Sequence, residues 1–145
     1  MTTTLMQRVK GVSGILLKVT DLARSRKFYA ETLEFPIEFE QGEIAICRVG
    51  DILVELLADP KPDAKRQTIE EPGMPKLANP AAKSSAIYIL GTEDCDAAYA
   101  HLTAKGVVFL GPPHDRHWGE RTCYFTDPDG YTWELTQSLP HSAME

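Results

Sequence analysis

The feature that most constrains this chain is an internal repeat. A strand, a helix opened by aspartate, and a run of strands ending in one that carries a lone glutamate occur twice within 145 residues. A domain of that size buries a real core without metal or disulfide staples, so two such units within one domain are expected over residues 1–145.

In the first copy, Val12 to Thr20 is almost wholly apolar or β-branched, as suits a strand buried on both faces. Asp21 stops it and caps a helix to about Leu33, in which Leu22, Ser25, Phe28, Tyr29 and Leu33 recur at helical spacing. Strands are predicted at Ile37 to Glu40, Glu43 to Val49 and Ile52 to Ala58, the last two joined at Gly50-Asp51. In the second copy, Ala86 to Leu90 is a strand, and Asp94 opens an amphipathic helix that Gly106 ends. Val107 to Leu110, Thr122 to Thr126 and Tyr131 to Gln137 follow as strands, with Asp127-Pro-Asp-Gly130 as the last turn. Both copies therefore read β-α-β-β-β. The first spans about 11–58 and the second about 84–138, and a segment at 59–83 holding half of the prolines links them. Glu55 and Glu134 occupy the same place in the two last strands. A longer loop at Gly111 to Glu120 absorbs the greater separation of Asp94 from Glu134.

A net charge of −6, with no basic stripe interleaved with aromatics, argues against nucleic acid. No apolar run approaches the ~18 residues of a membrane span, and Met1 to Lys10 does not read as a secretion signal, so a cytoplasmic protein is expected. The cysteines Cys47, Cys95 and Cys123 lack metal or redox spacing and read as buried, inert thiols.

The element order, together with Val19-Thr-Asp-Leu-Ala-Arg-Ser-Arg-Lys-Phe-Tyr29 and Asp127-Pro-Asp-Gly-Tyr-Thr-Trp-Glu-Leu-Thr-Gln137, resembles the vicinal oxygen chelate superfamily over roughly residues 11 to 138. That group holds glyoxalases, bleomycin-resistance proteins and dioxygenases. The resemblance implies an α+β fold in which two βαβββ modules form a half-open barrel around a small-molecule cleft. It implies a homodimer, since resembling proteins commonly complete their clefts across two chains. It also implies glycine after the first helix, where this chain has Glu34.

Many members carry four metal ligands, from the first and fourth strands of each unit. Carried over, the fourth-strand positions are Glu55 and Glu134. The first-strand position of unit one is Gly14, and that of unit two lies near Ser85 or Ala86, none of which binds a divalent metal well. No metal or other cofactor is therefore predicted. The alternative is a divalent metal ion held by Glu55 and Glu134.

On strand alternation alone, each glutamate simply faces water. The repeat and the family position turn both toward the cleft, where two carboxylates can raise each other's pKa, bind a cation, or accept hydrogen bonds from a ligand, and the sequence does not choose among these. The loop Gly111 to Arg121 reads either as an exposed connection or as a cleft wall. In the second reading Trp118 stacks on a planar ligand while Arg121 or His117 holds an anionic group. His101 reads as a helix-surface residue and His141 as part of a frayed tail.

Three functions remain. The first is a protein that sequesters or acts on a small organic compound without a complete metal site, leaving open whether it is an enzyme. The second is a metal-dependent glyoxalase-like lyase or isomerase. A dioxygenase ranks last, because no histidine lies on the predicted first strands to build a two-His, one-carboxylate iron site.

Overall fold

The computed structural model describes residues 5–58 and 85–140. The proline-rich segment 59–83 and His141 lie outside the described residues. The chain divides into two compact units, Met1–Leu77 and Ala78–Glu145.

In unit one, a single turn α1 (Leu5–Arg8) precedes β1 (Gly14–Val19), α2 (Leu22–Arg26), a π-helical continuation (Lys27–Thr32), β2 (Ile37–Gln41), β3 (Ile44–Val49) and β4 (Ile52–Ala58). The sheet order is β1-β4-β3-β2, with β1 and β4 parallel and the remaining pairs antiparallel. Asp21 caps the helix as expected, its Oδ1 accepting from the Arg24 N–H at 3.1 Å. The helix covers one sheet face. Leu17, Val19, Ala45, Cys47, Val54 and Leu56 are buried on the strands, and Ser25, Tyr29 and Leu33 on the helical segment. The expectation that β1 is buried on both faces is corrected. It alternates, with Leu17 at 1% exposure and Leu16 at 40%, because among the described residues of this unit no helix covers the second face.

The helix ends in a hydrogen bond from Phe35 N–H to Tyr29 O at 3.0 Å, and Glu34 sits between them at φ 62°. Glutamate thus takes the left-handed conformation that glycine normally fills after a helix, at a cost of about 1–2 kcal/mol, and the helix end is preserved rather than altered.

Unit two repeats the plan with β5 (Ile87–Gly91), α3 (Cys95–Ala104), β6 (His114–Arg116), β7 (Glu120–Thr126) and β8 (Thr132–Ser138) in the order β5-β8-β7-β6. Again the first and last strands are parallel. Asp94 Oδ1 accepts from Ala97 N–H at 2.9 Å, and Gly106 follows the helix at φ 95°. Asp127 folds the last turn by accepting from the N–H groups of Asp129 (3.0 Å) and Tyr131 (2.8 Å). These are the two α+β modules that the element order predicts.

One strand is misplaced by the sequence pattern. Val107 to Leu110 forms only an isolated bridge, Phe109 to Phe125, with Val108 and Leu110 exposed. The edge of β7 is taken instead by β6, inside the segment expected to be a loop. Pro112 and Pro113, which lack N–H groups, separate the two stretches.

All three cysteines are buried and unbridged, as expected. Burial pushes the Cys123 thiol up to about 12, which disfavours the reactive thiolate.

Two substitutions probe this framework. A Cβ at position 14 would stand 2.7 Å from the Leu53 carbonyl oxygen, so Gly14→Ala is expected to lower unfolding stability by about 1–3 kcal/mol in denaturant titration. Glu34→Gly should be more stable than Glu34→Ala by roughly 1 kcal/mol in the same measurement, because both lose the carboxylate and only alanine retains the strained φ.

Candidate functional site

Register decides which residues share a face. In unit one, Glu55 lies beside Leu16 on β1 and Ile46 on β3. Leu53 and Leu57 flank it on its own strand, all pointing away from the helix. Glu55 is half-buried in this aliphatic face, and no hydrogen bond or ion pair joins it to another described residue.

In unit two, Glu134 lies beside Ile89 on β5 and Tyr124 on β7, again on the face opposite the helix. Apart from Ile89, its neighbours are polar. Thr132 and Thr136 flank it on β8, and Thr122 and Glu120 follow Tyr124 along β7. Glu134 is only 6% exposed. The Tyr124 hydroxyl donates to Glu134 Oε1 at 2.6 Å, whereas Oε2 is buried without a hydrogen-bond partner. Leaving a buried acceptor unsatisfied costs about 1–3 kcal/mol, more for a charged group, and such atoms commonly mark a place completed by something else. The hydrogen bond to Glu134 is the main reason the Tyr124 phenol is raised above its ordinary value.

The same register corrects the first-strand position. Gly14 pairs with Leu53 and Ile87 with Thr132, each two residues before the glutamate, so the counterpart of Gly14 is Ile87 rather than Ser85 or Ala86. The side chains nearest the glutamates from the first strands are Leu16 and Ile89. None of these four residues supplies a metal ligand. No group of three or more His, Cys, Asp or Glu residues is placed to hold a metal among the described residues. The donor set within either unit does not fit the divalent ion that the resemblance implies.

The expected loop residues divide between the two faces of the sheet. Arg121 alternates onto the opposite face with Cys123 and Phe125, donating to Asp115 (2.6 Å) and to Asp96 of α3 (2.8 Å). It ties β6 to the helix. Asp115 and then Asp96 hold its guanidinium above the ordinary arginine value. His117 and Trp118 form the tip of the β6–β7 hairpin, their rings 4.8 Å apart, with Trp118 half exposed and its indole N–H 3.4 Å from Glu120 Oε2. At about 3.3 Å per residue, Glu120 stands about 13 Å along β7 from the Tyr124–Glu134 pair. No hydrogen bond joins Trp118 to Glu134, but the Glu120 Oε2 that faces the indole also accepts from Thr136 Oγ1 at 3.0 Å, on the glutamate side of the sheet. His101 is exposed on α3, as expected. A shallow depression of about 550 Å³, lined by Gly91, Thr92, Glu93, Thr136, Gln137 and Ser138, contains none of the expected residues.

Sequence reading missed Arg116. It lies in the short strand that carried no apolar signal, donates its Nε–H to Thr122 Oγ1 at 2.9 Å, and holds its guanidinium 6.0 Å from the Tyr124 ring centre.

Paired βαβββ modules, each presenting a glutamate on the helix-free face of its last strand, define a vicinal-oxygen-chelate type of protein. The chain belongs to the Glyoxalase/Bleomycin resistance protein/Dioxygenase superfamily, whose sequence profile matches residues 11–135. It is 32% identical over 130 residues to Uncharacterized protein YraH of Bacillus subtilis (strain 168), covering 86% of this chain and 96% of that one. A crystal structure of a glyoxalase/bleomycin resistance protein/dioxygenase from Nocardioides is 26% identical, with a TM-score of 0.71, covering 92% of this chain and 86% of that one. Lactoylglutathione lyase from Agrobacterium tumefaciens shares the fold at 16% identity, with a TM-score of 0.70 and coverage of 89% and 94%.

The Tyr124–Glu134 bond has a measurable signature. The folded state holds the phenolic proton more tightly than the unfolded chain, so its stabilising effect is present below the ordinary phenol value of about 10 and is lost as pH rises through the folded value. A phenolate-absorbance titration of the native protein is expected to show a late-ionising tyrosine that moves to lower pH in Glu134→Gln and disappears in Tyr124→Phe.

Proposed function

We propose that this chain binds a small organic molecule through the helix-free sheet faces that carry Glu134 and Glu55, without a complete metal site. The buried, unpartnered Oε2 of Glu134 supports this most, because it stands ready to accept a hydrogen bond from a ligand. Gly14, Leu16, Ile87 and Ile89 offer no donor atoms that would turn the two glutamates into a three-ligand site. In this reading Glu55 is a further ligand-binding carboxylate, set among the aliphatic side chains of its own unit. His117 and Trp118 are rim residues on the hairpin tip. Arg121 is a positioning residue that holds β6 against α3. The protein acts as a homodimer in the cytoplasm, and either sequesters its ligand or acts on it.

The second reading is a metal-dependent glyoxalase-like lyase or isomerase with Glu55 and Glu134 as metal ligands, and the lactoylglutathione lyase of Agrobacterium tumefaciens shares the fold. Elemental analysis of protein purified without chelator separates the two. The expected outcome is far less than one equivalent of zinc, nickel or iron per chain. Small organic ligands should raise the melting temperature in a thermal-shift screen, and Glu134→Gln should abolish that rise. About one metal equivalent per chain, lost together with activity in Glu134→Gln, would restore the lyase reading.

A further inference from the structure

The helix-free face of unit two carries two charges that the described residues leave uncompensated. Glu134 is buried with Oε2 unpartnered. Arg116 is half-buried, and its one hydrogen bond to a described residue uses Nε, so its terminal nitrogens donate to no described residue. The two charges are joined by Tyr124, whose ring lies beneath the guanidinium and whose hydroxyl donates to the carboxylate. They do not reach each other, since no ion pair connects them among the described residues. Among the described strand residues Glu120 is the other carboxylate or guanidinium on this face, opposite Arg116 in register. Its Oε2 is engaged by the Thr136 hydroxyl at 3.0 Å and faces the Trp118 indole, and it forms no ion pair with Arg116.

We infer that Arg116, Tyr124 and Glu134 form a recognition site for a zwitterion, with the ligand's carboxylate on Arg116 and its ammonium on Glu134 Oε2. Resting on the metal-free binding reading above, this names the ligand class that such a site takes. An arginine presents parallel N–H donors that match a carboxylate, and a charge-assisted hydrogen bond is about twice as strong as a neutral one. A purely anionic ligand would leave Glu134 unsatisfied and meet its charge across the tyrosine ring. A purely cationic one would leave Arg116 without a counter-ion. A molecule carrying both groups compensates both residues. Because a tyrosine ring separates the two ends, the ligand's charges stand several bonds apart, closer to an ω-amino acid than to glycine.

The test is a heteronuclear NMR titration of the isotope-labelled full chain with 5-aminopentanoate, alongside butanoate, butylammonium and glycine as probes. Binding of 5-aminopentanoate should shift the Arg116 Nε–H and the Thr122, Tyr124 and Glu134 amides. Its affinity should fall tenfold or more in Arg116→Gln and in Glu134→Gln, each shown folded by its own spectrum. Butanoate should be sensitive to Arg116→Gln alone and butylammonium to Glu134→Gln alone, both binding more weakly than the zwitterion. Equal binding of butanoate and 5-aminopentanoate would overturn the proposal, as would shifts confined to other residues or tight binding of glycine. If it fails while the protein is metal-free and another organic ligand depends on Glu134, the broader binding reading stands. A resident metal would end that reading as well.

Discussion

The parallel ladder between the first and last strand of each unit governs where the core and the bare face of that unit lie. Parallel neighbours need a long crossover, and the helix that opens at Asp21 or Asp94 supplies its first part. That helix can cover only one face, so the apolar core gathers there and the opposite face is left to other uses. The ladder also puts the last strand at an inner position, between the first strand and a hairpin partner. A glutamate on it is surrounded by side chains from three strands, and this explains how one acidic residue in an apolar run comes to be buried at Glu134.

One scaffold is built twice, yet the two bare faces differ in chemistry. Around Glu55 the neighbours are Leu16, Ile46, Leu53 and Leu57, whereas around Glu134 one aliphatic residue, Ile89, is joined by Tyr124, Thr122, Thr132 and Thr136. The aliphatic surround returns no hydrogen bond to Glu55 among the described residues. The hydroxyl-rich one satisfies one carboxylate oxygen and leaves the other poised. The same backbone plan thus carries two chemically different faces, one in each unit.

Most of the architecture is legible in the sequence because it rests on local signals. Aspartate caps, the Asp127–Gly130 turn and the apolar runs of the last strands each act over a few residues, and each appears where the pattern puts it. The features that escape the pattern depend on parity and competition. Val107 to Leu110 is apolar enough for a strand, but the place beside β7 goes to the polar His114–Arg116, which has no strand signal of its own. Arg121 reads as part of a loop in the sequence. Once β7 begins at Glu120, alternation sends Arg121 to the helix side and leaves Arg116, which no sequence signal marks, on the glutamate side. The first-strand position of unit two is displaced by a residue or two for the same reason, since counting back from Asp94 carries no information on register.

Gly14 gives the two units unequal prospects as places to install new chemistry. A Cβ at this position would stand 2.7 Å from the Leu53 carbonyl oxygen, so any side chain must first displace backbone, and a histidine there would require compensating changes elsewhere in the ladder. Ile87, its counterpart, already bears a branched side chain that is half exposed. A designer or a mutating lineage seeking a transition-metal centre on this framework would therefore find the shorter road through the second unit, one exchange at a time.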